Sequence, residues 1–162
     1  MYYGLLSLAA KVPASGYDSD AQAFFTAAGI TDTTQKSAVN QLVLDLKSYS
    51  IWTKMKALYP MVGGDATKHS YNLKDTTQFQ ITFNGGWTHA STGALPNGTN
   101  AYANTGLIAS SVLSQNSSAI GTYLRGGTPT SMNNGISIGC SSSGYNPGLY
   151  LAYAFGAGAG FD

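Results

Sequence analysis

The chain has 162 residues, 43% of them apolar and only 9% charged, with a net charge of +1. The apolar content is sufficient for a core and excludes wholesale disorder, while the charge content lies far below the roughly 25% of an ordinary soluble domain. A near-zero net charge leaves no long-range field to draw in nucleic acid or an anionic membrane, so neither partner is expected.

The chain opens Met1-Tyr2-Tyr3-Gly4-Leu5-Leu6-Ser7-Leu8. This apolar stretch is short and no Lys or Arg precedes it, unlike a secretory leader. It is also far from the ~18 apolar residues that a membrane span needs. The expectation is a protein made in the cytoplasm, not inserted in a membrane, whose residues Tyr2, Tyr3, Leu5 and Leu6 dock onto a partner or the body of the fold.

Residues 18–28 predict a first helix. Asp18, Ser19 and Asp20 offer cap and first-turn groups, and Ala21, Phe24, Phe25 and Ala28 form an i, i+3, i+4, i+7 stripe ending at Gly29. A second helix is predicted over Thr33 to Ser48, capped by Asp32, with Gln35 completing a capping box and Val39, Leu42, Val43 and Leu46 as its apolar stripe. A third is predicted over Ile51 to Tyr59, capped by Ser50 and closed by Pro60. Its Lys54 and Lys56, like Asp45 and Lys47 before them, read as solvated.

After Gly63-Gly64 the period changes to two. Phe79, Ile81 and Phe83 alternate with Gln78, Gln80 and Thr82, which predicts a half-buried strand. A weaker strand follows over Trp87 to Ala90, and Asn97-Gly98 is the strongest hairpin signal. Ala101-Tyr102-Ala103 and Ala119 to Leu124 read as further strands. Ile136, Ile138 and Cys140 alternate with Ser137 and Gly139, and a last strand carries Leu149, Leu151, Tyr153 and Phe155. Its other face, Tyr150, Ala152 and Ala154, is also apolar, so it is either central in a sandwich or covered by a neighbouring subunit. Five or six strands do not close a sandwich; either another chain or further residues would have to complete it.

The expected fold is therefore α+β: a docking lobe of about three short helices over residues 1–62, then a partial antiparallel β-sandwich or jelly roll over residues 63–162.

Little in the pattern points to catalysis. Between Thr76 and Phe161 Arg125 is the one formal charge, and Glu is absent throughout. A stretch without carboxylates lacks the acid pair of a glycosidase and the oxygen ligands of a calcium site. His69 and His89 stand twenty residues apart with no carboxylate cluster, and Cys140 is alone, so it reads as a core residue rather than a disulfide or zinc ligand. No Gly-x-Ser-x-Gly elbow or nucleotide fingerprint is present. No catalytic residue, metal or cofactor is assigned. Aromatic faces among neutral hydrogen-bonding groups do suit sugars or protein partners. Trp87, His89, Tyr102, Tyr145 and Tyr150 are the candidates for such contact.

Two stretches carry a resemblance. One runs from Asp20-Ala21-Gln22-Ala23-Phe24 through Ala28-Gly29-Ile30-Thr31-Asp32 to Ile51-Trp52-Thr53-Lys54-Met55 and Tyr59-Pro60-Met61-Val62-Gly63-Gly64. The other joins Asn72-Leu73-Lys74-Asp75 to Phe83-Asn84-Gly85-Gly86-Trp87-Thr88-His89 and Gly93 through Thr105. Together they resemble a module of tailed-bacteriophage virion proteins, often fibre-like or tail-associated, in which a small helical lobe precedes a laminin-G-like, concanavalin-type jelly roll. The resemblance covers roughly residues 18–125. It lacks the jelly roll's usual second half and its calcium-chelating acids. It implies a non-enzymatic virion component, a fibre or decoration protein on head or tail, forming homo-oligomers (trimers, by analogy with such fibres) and contacting other virion proteins. The alternatives are a glycan-binding receptor module that meets cell-surface sugars, and an enzyme fragment.

Overall fold

In the computed structural model the described residues are 16–114, 117–123, 135–142 and 145–154. They belong to two compact units, Met1–Leu107 and Ile108–Asp162. The fold is α+β.

The first helix, α1 (Ser19–Ala28), forms where the stripe predicts it. Asp18 caps it by accepting from the Asp20 amide, and Gly29 ends it in the left-handed region at φ 64°, where a Cβ would be strained. The second, α2 (Thr33–Ser48), also runs as predicted, with Asp32 accepting from the Gln35 amide. The expected return bond of a capping box is absent. The Gln35 side chain accepts from the Gly63 amide at 3.0 Å and donates to the Ser91 carbonyl at 3.3 Å, tying the helix start to two loops instead.

Ala21, Phe24, Phe25 and Ala28 of α1 meet Val39 and Val43 of α2, with Ile30, Trp52 and Leu73 closing the core. The α2 stripe is narrower than predicted: Leu42 is 38% exposed, while the polar Asn40 is buried. Asn40 is there because its Oδ1 accepts from the Asp18 amide at 2.7 Å and so locks the start of α1 onto α2. Lys47, expected to be solvated, bridges Asp18 at 2.7 Å and Asp20 at 2.6 Å.

The third predicted helix is not formed. Ser50 adopts φ 56°, and only a 3-10 turn, Trp52–Lys54, stands in the interval before Met55 becomes extended. The reason lies in packing. The Trp52 indole has more apolar area to bury than the Ile51 side chain. The chain buries Trp52 and leaves Ile51 43% exposed. Lys74 lies over the indole face, 4.6 Å from its centroid. Asn72, fully buried, takes over as the organiser: its Oδ1 accepts from the Leu58 and Lys74 amides at 2.9 and 3.0 Å, and its Nδ2 donates to the Gln78 carbonyl at 3.2 Å.

A helix that the periodicity did not announce, α3 (Ala66–Ser70), is capped by Asp65. The predicted strand from Gln78 is mostly lost. The Asp75 carboxylate gathers the Thr77 amide and hydroxyl and the Gln78 side chain into a turn, and Phe79 sits at φ 54°. The Tyr59 hydroxyl donates to the Phe79 carbonyl and stabilises that backbone. Burial pushes the Tyr59 phenol up to about 12, so it remains a donor.

Strand β1 (Thr82–Asn84) pairs antiparallel with β4 (Tyr102–Asn104), and β2 (Trp87–Ala90) with β3 (Gly93–Pro96). Asn97-Gly98 thus does not close a hairpin, because the strands on either side of it belong to different ribbons. Asn97 instead accepts from the amides of Thr99, Asn100 and Ala101 and donates to Asn100 Oδ1, which itself accepts from the Gly86 amide. Gly85 is required beside this loop: at φ 75°, a Cβ would collide with the Asn100 carbonyl.

In the second unit, a one-turn helix α4 (Ala109–Val112) precedes β5 (Gly135–Ser142) and β6 (Tyr145–Ala154), which pair antiparallel. No strand forms over 119–123, part of a predicted strand, whose last residue, Leu124, lies outside the described residues, as does Phe155. Among the described residues the strands associate only as three two-stranded ribbons.

Candidate functional site

The first unit brings chemistry-bearing side chains together where α3 meets the β1 and β2 ribbons. Asp65 fixes α3 by accepting from the Lys68 amide at 2.8 Å and pairing with Lys68 Nζ at 2.7 Å. One turn later His69 is buried, 1% exposed. Its Nδ1 lies 2.9 Å from Nδ1 of His89 on β2, with ring centroids 5.0 Å apart. Among the described residues His69 Nε2 has no hydrogen-bond partner. Burial, and the charge His89 would carry, hold the His69 imidazole below its usual range, against a smaller opposing pull from Asp65.

Phe83 of β1 stands edge-on to His89, centroids 4.7 Å apart, and to Trp87, 5.2 Å apart. Trp87 Nε1 donates to the Asn84 carbonyl at 3.0 Å and the Tyr102 carbonyl at 3.3 Å, so its polar edge is spent on joining β2 to the β1–β4 ribbon. The cluster is therefore aromatic, with the contact between the two imidazoles at its centre.

Of the residues expected to make contacts, Trp87 and His89 are brought together, half-buried and turned toward Phe83. Tyr102 contributes its carbonyl to Trp87, while the residue is 62% exposed. Tyr145 and Tyr150 lie on β6, in the other unit, at the register positions opposite Ser142 and Gly139. Tyr2, Tyr3, Leu5 and Leu6 lie outside the described residues. The sequence reading missed the partnership of His69 with His89. Its one available signal was that Trp87 and His89, two apart in a predicted strand, must share a face.

No group of three or more His, Cys, Asp or Glu side chains converges as a metal site among the described residues. A small cleft nearby is lined by Ile30, Asp32, Gln35, Gly63, Lys68 and Ser91. Two of its polar side chains are already engaged, Gln35 with Gly63 and Ser91 and Lys68 with Asp65.

Comparison with protein-family models, with curated proteins and with solved structures finds no match to the chain.

Proposed function

We propose that the protein is a non-enzymatic structural component of a bacteriophage particle, a fibre or decoration protein whose β segment forms an assembly surface. One observation carries this reading: the β5–β6 ribbon pairs Ile136 with Tyr153, Ile138 with Leu151 and Cys140 with Leu149. Positions two apart share a face, so these six apolar residues hold register positions on one face of the ribbon, up to the irregularity after Cys140. Such a ribbon is marginal alone in water and needs further strands or a covering surface. Copies of the same chain, or other virion proteins, would supply that cover and complete a jelly-roll-like sandwich. The low charge content and the likeness of residues 18–125 to phage fibre modules support the same reading.

The test is mass spectrometry of purified particles of the phage that encodes the chain, together with the solution mass of the isolated protein. Stoichiometric peptides in the particle and an oligomer in solution are expected. Complete particles that lack the chain, with the protein a folded monomer at high concentration, would refute the proposal.

The exposure of Tyr102 favours a second reading, attachment to a cell-surface glycan. Binding on a glycan array that disappears in Tyr102→Ala would support it, and an array without binding would remove it.

A further inference from the structure

We propose that His69 and His89 form an acid-sensitive latch that holds the β2–β3 ribbon against α3 in the neutral state and releases it when the pair takes up a proton. The inference follows from counting protons on four ring nitrogens. The 2.9 Å contact between the two Nδ1 atoms requires one proton between them. Each neutral imidazole carries one proton in total. Either His69 donates from Nδ1 and leaves a bare nitrogen at its buried, unpartnered Nε2, or His89 donates and His69 must carry an orphaned N–H at that position. A buried N–H without an acceptor is the rarer and costlier defect, so His69 is the donor and His89 Nδ1 the acceptor.

One further proton removes this solution. With three protons on the pair, keeping the shared bond forces protons onto both Nε2 atoms, including the one on His69 that faces no acceptor. Avoiding that penalty puts protons on both Nδ1 atoms, and the bond becomes a repulsion at the same distance. With four protons both penalties apply. Every protonated form is thus worse than the neutral one in this geometry, and the depressed affinity of His69 for a proton agrees with that.

The surroundings offer little relief. On α3 itself, Asp65 is bound to Lys68. On α1, which also packs against α3, Asp20 is the ionisable side chain, and it is bound to Lys47. The β1 segment Thr82–Asn84 and the β3 segment Gly93–Pro96 carry no ionisable side chain, and β2 carries only His89. The sign follows: a histidine held below its unfolded value of about 6.5 contributes stability that is full above that pH and is lost as pH falls. What opens is the ribbon carrying Trp87, which would uncover the Phe83 and Trp87 rings.

Amide exchange followed by NMR on the full chain, between about pH 7.5 and about pH 5, tests the latch, each rate being divided by its intrinsic value. Exchange of the β2 and β3 cross-strand amides should rise about tenfold, while α1 and α2 keep their protection. His89→Gln, which presents an acceptor that does not titrate, should cut the rise to about threefold or less. Hairpin protection that stays flat to the acid end overturns the proposal. So does a rise of wild-type size in both His89→Gln and His69→Phe, or a loss of α1 and α2 protection over the same range. Ring-nitrogen spectra of the wild type give a check that needs no variant: at the neutral end His69 should carry its proton on Nδ1, and an Nε2–H form overturns the argument.

Discussion

Single polar side chains do the work of secondary structure in the middle of this chain. Asn72 satisfies two amides and a carbonyl that no helix or ladder reaches. Asn72→Leu keeps the side chain's branching but strands the Leu58 and Lys74 amides, each costing about 1–3 kcal/mol when buried. The expected loss is about 3 kcal/mol, read as a lower urea midpoint of Trp52 fluorescence. Asp18 is a second such residue. Burial pulls its carboxyl upward, but the Lys47 bond and the Asp20 amide outweigh that and hold it below its usual 3.8. A carboxylate lowered in the folded state stabilises above its unfolded value, and that contribution is lost as pH falls through the folded one. Circular dichroism against pH should therefore show the helical lobe intact at pH 4.5 and melting only below about 3.8. Asp18→Asn should flatten part of that acid response while lowering stability near neutrality.

Elements form where the residues indicate unless another demand outweighs the local signal. The helices α1 and α2 have side-chain caps and a stripe, and both run as the residues indicate. Val43, fully buried, is the middle of their shared surface. Val43→Asp buries an unpaired carboxylate there, and about 4 kcal/mol of the lobe's stability should vanish. Retention of wild-type thermal stability would show that the stripe does not face the core. The predicted third helix had a cap and a proline stop as well as a period, and the strand from Gln78 had its period, yet neither formed as indicated. The competing demand was tertiary in the first, where Trp52 is buried and Ile51 left exposed, and local in the second, where Asp75 makes a turn with Thr77 and Gln78. The Asn97-Gly98 signal was read correctly as a turn but assigned the wrong strands, because turn chemistry acts over a few residues and does not specify which strand pairs with which.

For the whole molecule, the question is how a chain so poor in charge keeps its apolar β positions covered. If the β5–β6 register presents an apolar face to sister subunits, Leu151→Lys should weaken self-association by at least about tenfold, since one buried leucine is worth about 1.5–3 kcal/mol. Light scattering after size exclusion would read the change as a shift to lower mass. Unfolding reported by Trp52, in the first compact unit, serves as the control for the fold itself. A coincident loss of both would argue that the substitution simply destroys the fold.

Caps, turn residues and the α+β character were legible in the amino-acid order, because each depends on groups within about four residues of one another. The paucity of charge, and the absence of carboxylates from Thr76 to Phe161, were legible too, and they set what chemistry the β segment can host. Tertiary structure alone decided which aromatic entered the core at residues 51–52, which strands paired, and that His69 meets His89. Those outcomes depend on contacts between residues distant in the chain, whose selection turns on buried area and unpaired polar groups rather than on any local pattern.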